Sequence, residues 1–118
     1  MPVRGIRGTT VVLHDTAESV LEATRELLET LLTVNEIAAP GIASVIVVAT
    51  PHITSEYPAR AARQLGWNSV ALLGATEMDV PGGLARRIRV LMHVNTERAP
   101  STFRHVYLHE ARPLRPDH

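Results

Sequence analysis

The chain contains no cysteine and no lysine, and only four of its 118 residues are aromatic. Without cysteine there is no disulfide framework and no thiolate nucleophile, which suits a reducing compartment, so a cytoplasmic location is expected. With so few aromatics the core must be built from Val, Leu, Ile and Ala. The same scarcity weighs against a nucleic-acid surface, which stacks bases on aromatic side chains. No apolar run approaches the roughly 18 residues of a membrane span, and no basic-then-apolar leader opens the chain, so no membrane partner is expected. The length suits a single domain over residues 1–118, large enough to bury about two-thirds of its unfolded surface.

With lysine absent, all 12 basic residues are arginine. Codon bias in a GC-rich genome explains that composition but not the positions. Arg87 and Arg89 interrupt an apolar run that continues Val90-Leu91-Met92; Arg7 lies within Val3–Val12; Arg104 and Arg115 flank Val106-Tyr107-Leu108 and Leu114. Guanidinium stays charged at any working pH and presents a rigid fork of donors. Buried without a partner it costs several kcal/mol, so these arginines pair either with the chain's own acids or with an anionic ligand. Formal net charge is zero, yet residues 15–36 hold six acids and one base, Arg25. The remainder carries a surplus of about five arginines and is biased towards anions. These arginines do not cluster on one helix, which again weighs against nucleic acid.

Val3–Leu13 has strand character, with Arg7 on the face of Gly5, Thr9 and Val11 and Arg4 on the other. Asp15-Thr16-Ala17-Glu18 has the form of a capping box with Asp15 as the cap. Val20, Leu21, Thr24, Leu27, Leu28, Leu31 and Leu32 then repeat at helical spacing. Ile42–Thr50 is a continuous apolar run, expected of a strand covered on both faces. A short helix from Pro58 to Leu65 ends at Gly66 and puts Arg60 and Arg63 on one face. Ser69–Leu73 is expected as a buried strand, 74–83 as a loop, Leu84–Arg86 as one helical turn, and Ile88–Asn95 and Arg104–Glu110 as strands. The order β-α-β-α-β-(α)-β-β predicts a mixed α/β (α+β) layer fold.

The glycines of Arg4-Gly5-Ile6-Arg7-Gly8 open no helix, so they form neither a dinucleotide fingerprint nor a phosphate loop. His105 and His109, in a strand, would stand about 13 Å apart, too far for one metal ion. No serine sits in a nucleophile elbow. What remains is Arg7, Arg60, Arg63, Arg89 and Arg115, with Glu77 in a glycine loop and Tyr107 in a strand. Singly, each has an ordinary explanation as a surface or core residue. Together they describe a site for a small, multiply negative, oxygen-rich molecule, one that works by positioning and electrostatics.

The stretches Arg4–Thr10, Tyr57–Arg63, Glu77–Val80, Gly82–Leu84, Ile88–Val90, Arg104–Leu108 and Leu114–Asp117 resemble the monofunctional, trimeric, barrel-like class of chorismate mutase, in order and spacing over nearly the whole chain. The resemblance implies a mixed sheet with helices packed on one face, completed as a pseudo-barrel in a homotrimer. It implies rearrangement of chorismate to prephenate on the route to phenylalanine and tyrosine, with no cofactor and no metal. By that resemblance Arg89 donates to the ether oxygen, Glu77 faces the ring and its hydroxyl, and Arg7 and Tyr107 hold the side-chain carboxylate. Leu72, Leu73 and Gly74 line the substrate, Tyr57, Arg60 and Arg63 arrive from the neighbouring subunit, and Leu114 and Arg115 close the site. Gly74 departs from the small polar residue usual there, and Tyr57 and Arg60 replace the common phenylalanine and lysine. Two other readings compete. One is an enamine/imine deaminase on a similar trimeric fold, which Glu77 beside two glycines suits less well. The other is a non-catalytic carboxylate-binding module.

Overall fold

The computed structural model describes residues 1–111. Strands β1 (Val3–Val11), β2 (Ile42–Ala49), β3 (Ala71–Thr76), β4 (Arg87–Asn95) and β5 (Val106–Tyr107) form one mixed sheet in the order β3-β2-β4-β1-β5. β4 is antiparallel to both β1 and β2, so those two run parallel to each other; β3 is parallel to β2 and β5 to β1. Helices α1 (Ala17–Asn35) and α2 (Arg60–Gln64) carry the crossovers β1–α1–β2 and β2–α2–β3. Both crossovers step the same way across the sheet, so the right-handed rule puts both helices on one face, where α1 packs against β1 and α2. This is the mixed α+β layer arrangement expected from the element order.

Strand alternation then separates two faces. Ile6 and Thr10 of β1, Val45 and Val47 of β2, and Ile88, Val90, Met92 and Val94 of β4 are buried against Val20, Leu27, Leu28 and Leu31 of α1. Full burial of each such aliphatic side chain contributes roughly 1.5–3 kcal/mol. Gly8 lets the helix settle onto β1: a Cβ there would stand 2.9 Å from Leu27 Cδ1 and 3.1 Å from Leu31 Cδ1. The opposite face, carrying Arg7, Thr9, Ile46, Val48, Arg89, Leu91 and Tyr107, is half-buried or exposed.

Several local expectations differ from the structure, each for an identifiable reason. Thr16, not Asp15, caps α1, its Oγ1 accepting from Ser19 N at 3.1 Å. The Asp15 carboxylate is taken by the backbone and side chains of Thr54 and Ser55. Among the described residues β2 is covered by helices on one face and not on the other. The strand expected at Ser69–Leu73 runs instead from Ala71 to Thr76 and, among the described residues, is an exposed edge paired to β2 alone; Gly74, Ala75 and Thr76 therefore belong to a strand and not to the following loop. Leu84–Arg86 forms no helical turn. Arg86 has φ +52° and its carbonyl accepts from Val12 N, so the ladder between β1 and β4 claims the backbone there. The last strand is short because the buried Asn35 side chain binds both the N–H and the C=O of Arg104, while His109 at φ +56° turns the chain away.

Candidate active site

Sheet register lines up several of the candidate residues. Thr9 lies opposite Arg89 on one side and Tyr107 on the other; Val48 is opposite Arg89, and Ala75 opposite Val48. Tyr107, Thr9, Arg89, Val48 and Ala75 thus form one row across all five strands. Neighbouring strands lie about 4.8 Å apart, so the Tyr107 and Arg89 backbones are about 10 Å apart on one face. Arg7, two residues before Thr9, stands on the same face. All of them are on the side of the sheet opposite α1 and α2.

Glu77 joins this row from the end of β3. Its N–H donates to Ala49 O at 2.8 Å, continuing the ladder between β2 and β3 by one rung. From there Glu77 Oε2 accepts from Arg89 Nη1 at 2.8 Å, the arginine reaching over β2. The two side chains are 55% and 36% exposed. An ion pair this open contributes only about 0–1 kcal/mol to folding, so stability does not require it. A cleft of about 190 Å³ lies alongside, lined by His52, Glu77, Asp79, Pro81, Gly83 and Leu84 among others.

Contacts on the far side hold Tyr107 in register. Arg7 N donates to His105 Nδ1 at 3.0 Å, and Leu108 N donates to Thr9 O at 2.9 Å. Asn35 and the 2.7 Å pair between His109 Nε2 and Glu26 Oε1 fasten the same segment to α1. The two histidines thus have separate partners on separate elements. No group of three or more His, Cys, Asp or Glu able to hold a metal ion occurs among the described residues.

Alternation divides the β3 candidates. Leu73 pairs with Ile46, lies on the face of Arg89 and is 62% exposed. Leu72 pairs with the buried Val45 and packs against the core, so it turns its side chain to the helix layer. Gly74 pairs with Val47, and a Cβ built on it would meet nothing closer than Val47 O at 4.0 Å. A small side chain therefore fits there, and packing alone does not explain the glycine.

Tyr57, Arg60 and Arg63 sit apart from this row. α2 packs on α1 with Ala61 and Ala62 in the core, placing it on the helical side of the sheet. Tyr57 is 81% exposed. Glu56, absent from the sequence-based candidates, organises this corner: Oε1 accepts from Tyr57 N at 2.9 Å and Oε2 from Arg60 Nη1 at 2.9 Å. The Tyr57 N–H and then the Arg60 guanidinium hold the Glu56 carboxyl below its ordinary pKa. Glu56 stands four residues before Arg60 but outside α2, so helical periodicity did not mark it. Leu114 and Arg115 lie outside the described residues.

One chain therefore brings together Arg7, Arg89, Glu77, Leu73 and Tyr107, and leaves Tyr57, Arg60 and Arg63 elsewhere. The family model for chorismate mutase type I matches residues 3–118. This chain belongs to the type I chorismate mutase family. Among the curated members of this family, the chorismate mutase AroH of Thermus thermophilus is 51% identical over 116 residues, covering 98% of this chain and 95% of its own. That of Bacillus subtilis strain 168 is 42% identical over 118 residues, covering 99% and 93%. A solved chorismate mutase from Clostridium thermocellum superposes with a TM-score of 0.88 at 41% identity, covering 91% of this chain and 96% of that one.

Proposed function

We propose that this protein is a chorismate mutase, converting chorismate to prephenate on the route to phenylalanine and tyrosine. The observation that carries the reading is the Arg89–Glu77 pair, a positive and a negative group at 2.8 Å on one sheet face, in a chain of this family. The rearrangement breaks a C–O ether bond as a C–C bond forms within one molecule. Negative charge grows on the departing ether oxygen and positive charge on the ring. A fixed dipole, cationic at one end and anionic at the other, stabilises that separation more in the transition state than in the ground state. No proton is transferred, so no base or nucleophile is needed.

In this reading Arg89 gives one donor to Glu77 and presents the rest of its five-donor fork to the ether oxygen. Glu77 accepts from the ring hydroxyl. Arg7 and Tyr107 hold the side-chain carboxylate, with Leu73 and the backbone of Leu72 and Gly74 as a wall, and Leu114 and Arg115 closing the site.

Residues 1–118 act as one domain, and three copies assemble. What supports assembly is the position of α2. α2, which carries Arg60 and Arg63, packs on α1 on the helical side of the sheet, and delivery of Tyr57, Arg60 and Arg63 from a neighbouring chain accounts for their distance from the row. The half-exposed Ile46, Val48 and Leu91 on the open face suit burial against another copy. No helix among the described residues is long and apolar enough to cross a membrane, which is compatible with a cytoplasmic enzyme.

The test is consumption of chorismate by the purified protein, followed by loss of its diene absorbance without added metal or cofactor. Saturable loss with prephenate as product is expected; no loss from folded protein that still binds a dicarboxylate would leave the binding-module reading instead. Mixing Arg89→Ala and Arg63→Ala chains after dissociation is expected to restore activity, because some mixed interfaces then hold one intact site.

A further inference from the structure

Glu56 uses both carboxylate oxygens on residues proposed above to reach the substrate. Oε1 holds the Tyr57 backbone and Oε2 holds the Arg60 guanidinium, each at 2.9 Å. Its side chain is 14% exposed while that of Arg60 is 61% exposed, so the shielded acid anchors a cation that faces outward. Glu56 lies four residues before α2 begins at Arg60. The contact is therefore a loop folded back onto the first residue of a helix, and not a pair along a helix surface. A surface ion pair of this kind does little for stability. It does remove rotamer freedom from a long side chain.

We infer that Glu56 is a positioning residue that fixes the Arg60 guanidinium for an anionic oxygen of the substrate and, by holding the Tyr57 N–H, fixes the loop that leads into α2. The inference rests on the reading of Arg60 as a substrate contact across a subunit interface. Arginine suits this double duty: one Nη serves Glu56 while the other donors stay in a rigid plane for a carboxylate, a division that a lysine ammonium performs poorly. An arginine held before binding loses less freedom on binding, and the effect of that preorganisation appears in affinity.

The experiment measures kcat and KM for chorismate, with thermal melting, in the wild type, Glu56→Ala, Arg60→Ala and the double variant. Glu56→Ala is expected to raise KM about fivefold, the scale of one newly mobile long side chain, with kcat within twofold. Arg60→Ala is expected to raise KM further, and the double variant to match Arg60→Ala alone, because Glu56 acts through Arg60. Glu56→Gln, which keeps an acceptor for Tyr57 N and loses the charge facing Arg60, is expected to raise KM about threefold and guards against poor folding of the alanine variant. Unchanged KM in folded Glu56→Ala and Glu56→Gln, or additive effects in the double variant, would overturn the inference while leaving Arg60 a substrate contact. Unchanged KM in Arg60→Ala would overturn the reading of Arg60 itself, and the inference with it.

Discussion

Arg89 and Glu77 meet at 2.8 Å although their strands are not neighbours: β2 lies between them, and the arginine crosses it above Val48. The pair is half-exposed, so its use is to be sought in chemistry and not in the fold. Removing Glu77 takes away the negative end of the dipole and leaves Arg89 free to swing. Glu77→Ala is expected to lower kcat at least 30-fold, and Glu77→Gln less, since the amide still accepts from a ring hydroxyl. Equal losses in the two variants would assign Glu77 a purely charge-based role.

Arg7 stands two residues from Thr9 on the same face, on the other side of β4 from Glu77. A contact to a carboxylate that changes little during the reaction acts on ground state and transition state alike. Arg7→Ala is therefore expected to raise KM by 10-fold or more with a smaller effect on kcat, measured by steady-state kinetics.

Turnover should be nearly flat from about pH 6 to 9. Arginine does not titrate in that range and the rearrangement moves no proton. A steep bell-shaped profile would point to acid–base chemistry, as in the deaminase alternative.

Asp15 is expected to add a pH-dependent contribution to stability in acid. The Ser55 and Thr54 hydroxyls, helped by their backbone N–H groups, hold its carboxyl below the ordinary value of 3.8. A depressed carboxyl contributes stability that is fully present above about 3.8 and is lost as pH falls through the lower folded value. Asp15→Asn should therefore melt below the wild type at pH 7, with the difference closing as pH drops below 3.8. A constant difference across that range would exclude the linkage.

Much of this molecule was legible in its sequence. The period of Val20, Thr24, Leu27, Leu28 and Leu31 marked α1, and the β-branched runs marked β1, β2 and β4. Arginines placed within strands pointed to an anionic ligand or to acid partners, and the register puts Arg7 and Arg89 on one face of the sheet. What sequence could not supply was long-range pairing. Asp15 has the composition of a cap, but Thr54 and Ser55, about 39 residues away, compete for its carboxylate and win. The open face of β2 and the edge position of β3 depend on sheet order, which local pattern does not encode. The meeting of Glu77 with Arg89 is likewise a product of register.

The most direct measurement is kcat for chorismate in the wild type beside Arg89→Ala and Arg89→Lys. A donor aimed at developing charge is worth about 3–4 kcal/mol. The alanine variant is therefore expected to lose at least 100-fold in turnover, and lysine to recover only part of it, as a point charge without the fork. Near-normal turnover in Arg89→Ala would contradict the account.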